Sequence, residues 1–173
     1  MSAPFGIEFY TPIESLNVIQ ELGQGAYIVA PATPHPLFET FVVRATPSLG
    51  VVWIKGITPA IENDNFGSDT RAMVDRLAEQ LTQKYGAGER TDLLLNGSIW
   101  SEPQDWMSSL NNRERFYHVE WKAPRSRLPD NLQSIFMGAT PFENFGASIV
   151  VEYASRRSEE ADAELERGMA DFL

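Results

Sequence analysis

The sequence predicts an α+β fold built on a mainly antiparallel sheet of about six or seven strands, with a principal helix and further short helices. Several short segments alternate apolar and polar residues, which is typical of strands with one buried face, and Pro, Gly and Ser separate them. Residues 68–85 instead repeat apolar residues at helical spacing, so this helix should pack on one face of the sheet. Because 173 residues suit one core, we expect a single α+β domain over residues 1–173.

The N-terminal segment predicts a strand followed by a helix. Residues 5–9 alternate apolar residues with Gly and Glu, as a short strand does. Thr11-Pro12-Ile13-Glu14 combines a capping hydroxyl, a proline at the first helical position and a glutamate at N3, which predicts a helix that ends before Gly23. Through Gly6-Ile7 and Thr11-Pro12 this start resembles small bacterial α+β modules that continue as a three-stranded meander. Such modules mostly bind other proteins.

The next segment changes to a period of two and divides into three predicted strands. Ala26-Tyr27-Ile28-Val29 forms the first, residues 38–45 the second and residues 51–57 the third. Pro47-Ser48-Leu49-Gly50 is typical of a tight turn, so the second and third strands should pair as a hairpin. Three prolines between residues 30 and 37 make the preceding connection stiff and extended.

The principal helix is predicted over residues 68–85. Ser68 or Asp69 would cap its start, and apolar residues repeat every four positions from Met73 to Leu81. A lysine in the last turn and Gly86 directly after it predict the end of the helix. The apolar stripe should make this helix a leading contributor to stability.

The segment after the helix gives weaker patterns. Residues 87–100 lack a clear period, but Leu93-Leu94-Leu95 is too apolar for a solvated linker and should tuck against the core. Ser101-Glu102-Pro103-Gln104 is a second capping-box pattern, which predicts a short helix that presents Trp106. Residues 117–121 alternate strictly, so they predict a strand with one buried and one wet face.

Two strands and a helix are predicted to complete the chain. The strands lie near residues 132–139 and 147–154, with Pro141-Phe142-Glu143-Asn144 as the turn between them. Residues 158–173 form an amphipathic helix whose polar side is densely acidic. Its apolar face consists of Ala161, Leu165, Met169 and Phe172. We expect this helix to dock.

The charge balance bears on the choice of partner. The chain has 24 acidic and 14 basic residues, a formal net charge of −10, which disfavours a nucleic-acid partner because phosphate binding needs clustered Lys and Arg. Residues 131–173 carry eight of the acids against three bases. A basic protein would therefore be steered to the C-terminal part of the chain.

Several kinds of chemistry are disfavoured by composition. The chain has no cysteine and two histidines, so thiolate chemistry is excluded and neither a metal site nor a cofactor is expected. Residues 62–67 contain oxygen ligands in a calcium-loop pattern, but Phe66 and Met73 stand where ligands belong. No secretory leader pattern and no stretch of ~20 apolar residues is present, so we expect a cytoplasmic protein without a membrane partner.

Five residues are candidates for a binding or active site. His118 and Glu120 share one face of a predicted strand, where they could act as base and acid, although a solvated sheet face gives the same alternation. His35 lies in the proline-rich loop, and rigid loops often carry recognition residues. Trp100 and Trp106 could wall a pocket or belong to the core.

The sequence favours a non-enzymatic protein-binding module, such as an acidic inhibitor or an immunity-like partner of a basic protein. One alternative is a small-molecule-binding domain with a pocket near Trp100 and Trp106. A second alternative is an enzyme that uses His118 and Glu120. The sequence leaves the oligomeric state open.

Overall fold

The computed structural model describes residues 3–143 and 145–173. These residues form one eight-stranded antiparallel sheet with three α-helices, which confirms the α+β class and corrects the expected strand number of about six or seven. The strands are β1 (Val18–Gly23), β2 (Ala26–Val29), β3 (Thr40–Thr46), β4 (Gly50–Ile57), β5 (Glu89–Leu94), β6 (Arg115–Lys122), β7 (Leu132–Phe142) and β8 (Gly146–Ser155). The α-helices are α1 (Ser68–Tyr85), α2 (Trp106–Asn111) and α3 (Ser158–Ala170). Hydrogen-bonded neighbours follow the order β1-β2-β3-β4-β8-β7-β6-β5.

Contacts within the chain group its residues into two compact units. The first unit contains the described residues up to Gly56 together with Pro129–Ser134 and Glu152–Leu173. The second unit contains Ile57–Leu128 and Ile135–Val151. The expectation of a single domain remains a prediction.

An aromatic cluster fills part of the first unit. The ring of Phe5 lies edge-on to Phe38, Phe41 and Tyr153, at centroid distances of 5.4, 4.8 and 6.0 Å. Edge-on aromatic pairs of this kind add to the stabilisation that burial alone gives. A Cβ on Gly56 would lie 2.7 Å from the Phe5 ring, so only glycine leaves room for this ring. The cluster is therefore tightly packed.

The start of the first unit differs from the sequence prediction. Residues 5–9 are not a strand, because Pro4–Gly6 forms a 3-10 turn in which Phe5 adopts a φ of 53°. The predicted helix from Pro12 is also wrong: Ile13–Ser15 forms a single 3-10 turn without a side-chain cap, and β1 follows. Every residue of β1 is exposed, so burial does not select a helix here, and backbone pairing with β2 decides the conformation.

The principal helix α1 packs in the second unit as predicted. Its buried residues are Thr70, Val74, Leu77, Ala78 and Tyr85, and it contacts β6. Gly86 follows at a φ of 81°, and its N–H bonds to the Thr82 carbonyl, which confirms the predicted stop. The start is different, because the N-cap position belongs to Gly67 rather than to Ser68 or Asp69.

The segment expected to tuck against the core is instead an edge strand. β5 pairs only with β6, and the side chains of Leu93 and Leu95 are 49% and 43% exposed. The predicted short helix is present as a 3-10 turn, Pro103–Asp105, followed by α2. In β6 the residues Tyr117, Val119 and Trp121 are buried, as their alternation predicted.

The last elements agree with the prediction except at their ends. β7 and β8 form, but β7 runs on to Phe142 through part of the predicted turn, and Asn144 of that turn lies outside the described residues. The last helix ends at Ala170, three residues short of the predicted end, so Phe172 of the predicted face lies beyond it. Ala161 is fully buried, whereas Met169 and Phe172 are 44% and 92% exposed, so only part of the predicted face docks. Across residues 3–143 and 145–173, none of the helices has the length and apolar character needed to cross a bilayer.

Candidate functional site

The C-terminal part of α3 borders an apolar groove of about 320 Å³. We call it the terminal-helix groove. It is lined by Gln24, Pro47, Glu164, Leu165, Gly168, Met169 and Phe172. Two turns of the first unit form its other side, since Gln24 lies between β1 and β2 and Pro47 between β3 and β4. A volume of this size holds one or two large side chains or a small ligand.

Contacts along α3 fix the helix beside this groove. Ala161 is buried against Leu49 and Val52, and the Ser158 hydroxyl donates to the Val52 carbonyl at 3.2 Å. Leu165 packs on Gly25, where an added Cβ would lie 3.0 Å from a Leu165 methyl. The first two-thirds of the helix are therefore held against the unit, and its last turn stands clear.

Three acids of α3 are engaged in ion pairs or hydrogen bonds. Asp162 pairs with Arg44 of β3, and Glu160 pairs with Arg157 at 2.7 Å. Glu164 accepts hydrogen bonds from the Ser48 hydroxyl at 2.6 Å and the Ser48 amide at 3.2 Å. The Ser48 hydroxyl, followed by Thr46, lowers the pKa of Glu164 below its ordinary value. Asp162 and Glu164 therefore help to dock the helix, whereas the Glu160 pair is local to the start of α3.

The remaining acids of this segment are differently placed. Glu159, Glu166 and Asp171 are exposed, and none of them forms an ion pair within residues 3–143 and 145–173. Glu166 lies three residues before Met169 and Asp171 lies directly before Phe172, so both acids are close in sequence to residues that line the groove. An apolar groove thus has two exposed acids close to its lining residues in sequence, and neither acid forms an ion pair among the described residues.

His118 and Glu120 occupy the face of β6 opposite the buried Tyr117, Val119 and Trp121, as predicted. The His118 ring lies 4.9 Å from the ring of Phe136, and both residues are half-buried. Burial lowers the pKa of His118 below its ordinary value; Glu120 opposes this shift and Lys122 adds to it. The neutral imidazole is therefore favoured.

A second groove of about 310 Å³ adjoins Glu120. It is lined by residues 87–89, Glu120 and residues 122–126. Four of these lining residues form two ion pairs, Glu120 with Lys122 at 3.0 Å and Glu89 with Arg125 at 3.5 Å. His118 does not line this groove, so the structure places the two candidate catalytic residues on one face but not in one cavity.

Trp106 is an interior residue of the second unit. It is 4% exposed, its ring lies edge-on to Tyr117 at 6.0 Å, and the guanidinium groups of Arg71 and Arg115 lie 5.6 and 5.5 Å from it. Trp100 is half-buried, and its amide donates to the Ser98 hydroxyl at 3.1 Å. Neither tryptophan lines the two grooves above, so a pocket between them remains a prediction.

His35 lies in the loop between β2 and β3. Its Nδ1 accepts a hydrogen bond from the Leu37 amide at 3.2 Å, and its ring lies edge-on to Phe38 at 5.4 Å. The imidazole therefore contributes to the structure of the loop, and a recognition role for it remains a prediction.

Sequence reasoning found part of the terminal-helix groove and missed the rest. The helical spacing of Leu165, Met169 and Phe172 is visible in the sequence, but it predicts a docked face. Gln24 and Pro47 were missed because they belong to turns distant in sequence. No group of three or more His, Asp or Glu residues suited to a metal ion occurs within the described part of the chain. No protein family, curated protein or solved structure was found to match the chain.

Proposed function

We propose that the chain is a non-enzymatic protein-binding module, of the inhibitor or immunity-like kind, that binds a basic partner at the terminal-helix groove. The partner segment would insert an apolar side chain between Leu165, Met169 and Phe172. Its Lys or Arg residues would lie beside Glu166 and Asp171.

The observation that carries this proposal is the apolar groove with exposed acids close to its lining residues in sequence. An apolar anchor that fills a pocket supplies much of the affinity at protein interfaces. Opposite charges around the anchor raise the association rate and select among partners. The opposite side of α3 is a poorer candidate, because its groove of about 240 Å³ includes Arg157 and Arg167 among the acids.

A synthetic amphipathic peptide of Lys and Leu provides a defined probe, and a peptide with Glu in place of Lys is its control. We expect the basic peptide to bind and the acidic one to bind at least about tenfold more weakly, as measured by fluorescence anisotropy. High salt should reduce this difference, because exposed charges are screened.

Phe172→Ser tests the apolar wall, since Phe172 is 92% exposed and its loss should leave the fold intact. We expect this substitution to reduce the affinity for the basic peptide by about tenfold at both low and high salt. Glu166→Gln should weaken binding mainly at low salt. Glu159→Gln is the matched control, because it removes the same charge about 10 Å from Glu166 along α3, toward the N-terminal end of the helix and away from the groove residues.

Equal binding of the acidic peptide, or full affinity in Phe172→Ser, would contradict the proposal. With natural extracts, the informative result is a protein captured by the wild-type chain and lost with Phe172→Ser.

The other readings remain predictions. A small-molecule pocket near Trp100 and Trp106 would require a cavity beside a tryptophan that is 4% exposed. An enzyme using His118 and Glu120 would require substrate on the outer face of β6. Cytoplasmic residence and the expectation of no nucleic-acid partner also remain predictions.

A further inference from the structure

The edge strand β5 has a regular backbone. Its six residues pair one to one with β6, from Glu89 opposite Glu120 to Leu94 opposite Arg115, without a bulge. The Leu95 amide donates to the Glu114 carbonyl at 2.8 Å, so the ladder continues one residue further. Hydrogen-bonding direction alternates along an antiparallel strand. The amides and carbonyls of Arg90, Asp92 and Leu94 therefore point to the open edge.

The opposite edge of the sheet is less suited to pairing. β1 has two register shifts against β2, between Val18 and Gln20 and between Glu21 and Gly23. Such irregularities are a common means of blunting a sheet edge. β5 has none, so it is the edge that offers evenly spaced backbone groups to another strand.

The order of charged residues along β5 allows two antiparallel copies of this strand to place opposite charges beside each other. In an antiparallel pair of two β5 strands centred on Thr91, Arg90 of each copy lies opposite Asp92 of the other. Opposite charges in such cross-strand pairs are stabilising, and the two-fold axis produces the pair twice. A pair centred on Asp92 would instead place two aspartates opposite each other.

Both side chains are available for this pairing. Arg90 and Asp92 are exposed, with side-chain exposures of 44% and 59%. Arg90 already forms an ion pair with Asp75 at 2.8 Å, so its side chain is partly ordered before two copies associate. Arg115 lies 4.0 Å from Asp92 and leaves that carboxylate room for a closer partner.

We propose that two copies of the chain associate through β5, in an antiparallel register centred on Thr91, to continue the sheet. Backbone hydrogen bonds from Arg90 and Asp92 supply the contact, and the two Arg90–Asp92 pairs select the register. Because a single strand pair buries little surface, we expect a dissociation constant on the order of micromolar.

Sedimentation velocity over a range of about 1 μM to 1 mM tests the association. Asp92→Arg places like charges opposite each other twice and should weaken the dimer at least about tenfold. Asp92→Pro removes an edge-facing N–H that β6 does not use, and it should have a similar effect. Asp92→Asn is the matched control, because it keeps the N–H and should weaken the dimer less.

A mixture of variants tests the register. Asp92→Arg and Arg90→Glu should each be monomeric where the wild type is dimeric, and together they should form a heterodimer, since both cross-strand pairs are again opposite in charge. Thermal unfolding of each variant confirms that it is folded. A wild-type chain that stays monomeric over the whole range overturns the proposal, as does a dimer unchanged by Asp92→Pro and Asp92→Arg. Phe172→Ser should leave the dimer intact, so this test is independent of the terminal-helix groove.

Discussion

Gly67 lies against the indole of Trp106 so closely that a Cβ at residue 67 would be 2.2 Å from two ring carbons. Gly67 also has a φ of 68°, a backbone conformation that residues with side chains rarely adopt. On the C-terminal side of Gly67, the side chain of Arg71 donates to the Gly67 carbonyl at 3.2 Å, and its guanidinium lies 5.6 Å from the Trp106 ring. This contact fixes the start of α1 relative to α2.

Gly67→Ala should lower the free energy of unfolding by about 2–4 kcal/mol, because it adds a steric clash to an unfavourable φ. Gly97→Ala is the matched control: Gly97 has a φ of 83°, but a Cβ there would meet nothing within 4 Å. We expect Gly97→Ala to lower the same quantity by about 1 kcal/mol, measured by urea denaturation. Equal effects of the two substitutions would show that the Trp106 contact is unimportant.

Asp64 should make stability depend on pH at the acidic end. Burial alone would raise the pKa of Asp64, but hydrogen bonds from Thr70, Asp69 and Ser68 outweigh it and hold the pKa below the ordinary 3.8. The stabilisation is thus fully present above about pH 5 and is lost as the pH falls through the lowered pKa.

Asp64→Ala should remove this acid dependence and lower the free energy of unfolding at neutral pH by about 1–2 kcal/mol, because the amides at the start of α1 lose their acceptor. Asp69→Ala, at an exposed carboxylate in the first turn of α1, is the control and should have a smaller effect. Denaturation curves at several pH values give both results. If the stability of Asp64→Ala still decreased at acidic pH as in the wild type, groups other than Asp64 would be responsible for that decrease.

The sequence predicted the buried parts of the fold better than its edges. α1, β6 and β8 have apolar faces that pack on other elements, so their periodicity is visible in the sequence. β1 and β5 were missed, and both are edge strands whose side chains mostly face solvent. Periodicity reports burial, and their conformation depends instead on backbone pairing with β2 and β6.

Ser148 allows the energetic cost of a buried hydroxyl without a hydrogen-bond partner to be measured. It is 2% exposed, and its hydroxyl has no hydrogen-bond partner among the described residues. Ser148→Ala should raise the free energy of unfolding by about 1 kcal/mol, because the desolvated hydroxyl is removed. Ser109 is the matched control, since it is equally buried but donates to the Trp106 carbonyl at 2.6 Å and accepts from Arg115 Nε at 2.7 Å. Ser109→Ala should be destabilising, and the same sign for both changes would contradict the prediction.

His118 should destabilise the fold when it becomes protonated. Because burial lowers its pKa in the folded state, the unfolded chain binds the proton more tightly, and stability should decrease as the pH falls below about 6.5 through the lowered folded-state pKa. NMR titration of the His118 ring should give a pKa below that ordinary value. His118→Gln should remove this contribution, and a pKa above 6.5 would contradict the assignment.

The candidate site was predictable only in part, for a related reason. The acidic character of residues 158–173 and the helical spacing of Met169 and Phe172 can be seen in the sequence. That Asp162 and Glu164 contact Arg44 and Ser48 cannot, because more than a hundred residues separate these partners. Amino-acid composition does not distinguish carboxylates that contact the rest of the unit from carboxylates that are free to bind a partner.

The division of carboxylates along α3 also affects how ionic strength acts on the molecule. Added salt would weaken the attraction of a cationic ligand, and it would also loosen the Arg44–Asp162 contact that holds the helix in place. Loss of complex formation in concentrated buffer therefore has two physical origins. Following the amide resonance of Ala161 during the same titration separates release of the ligand from detachment of the helix.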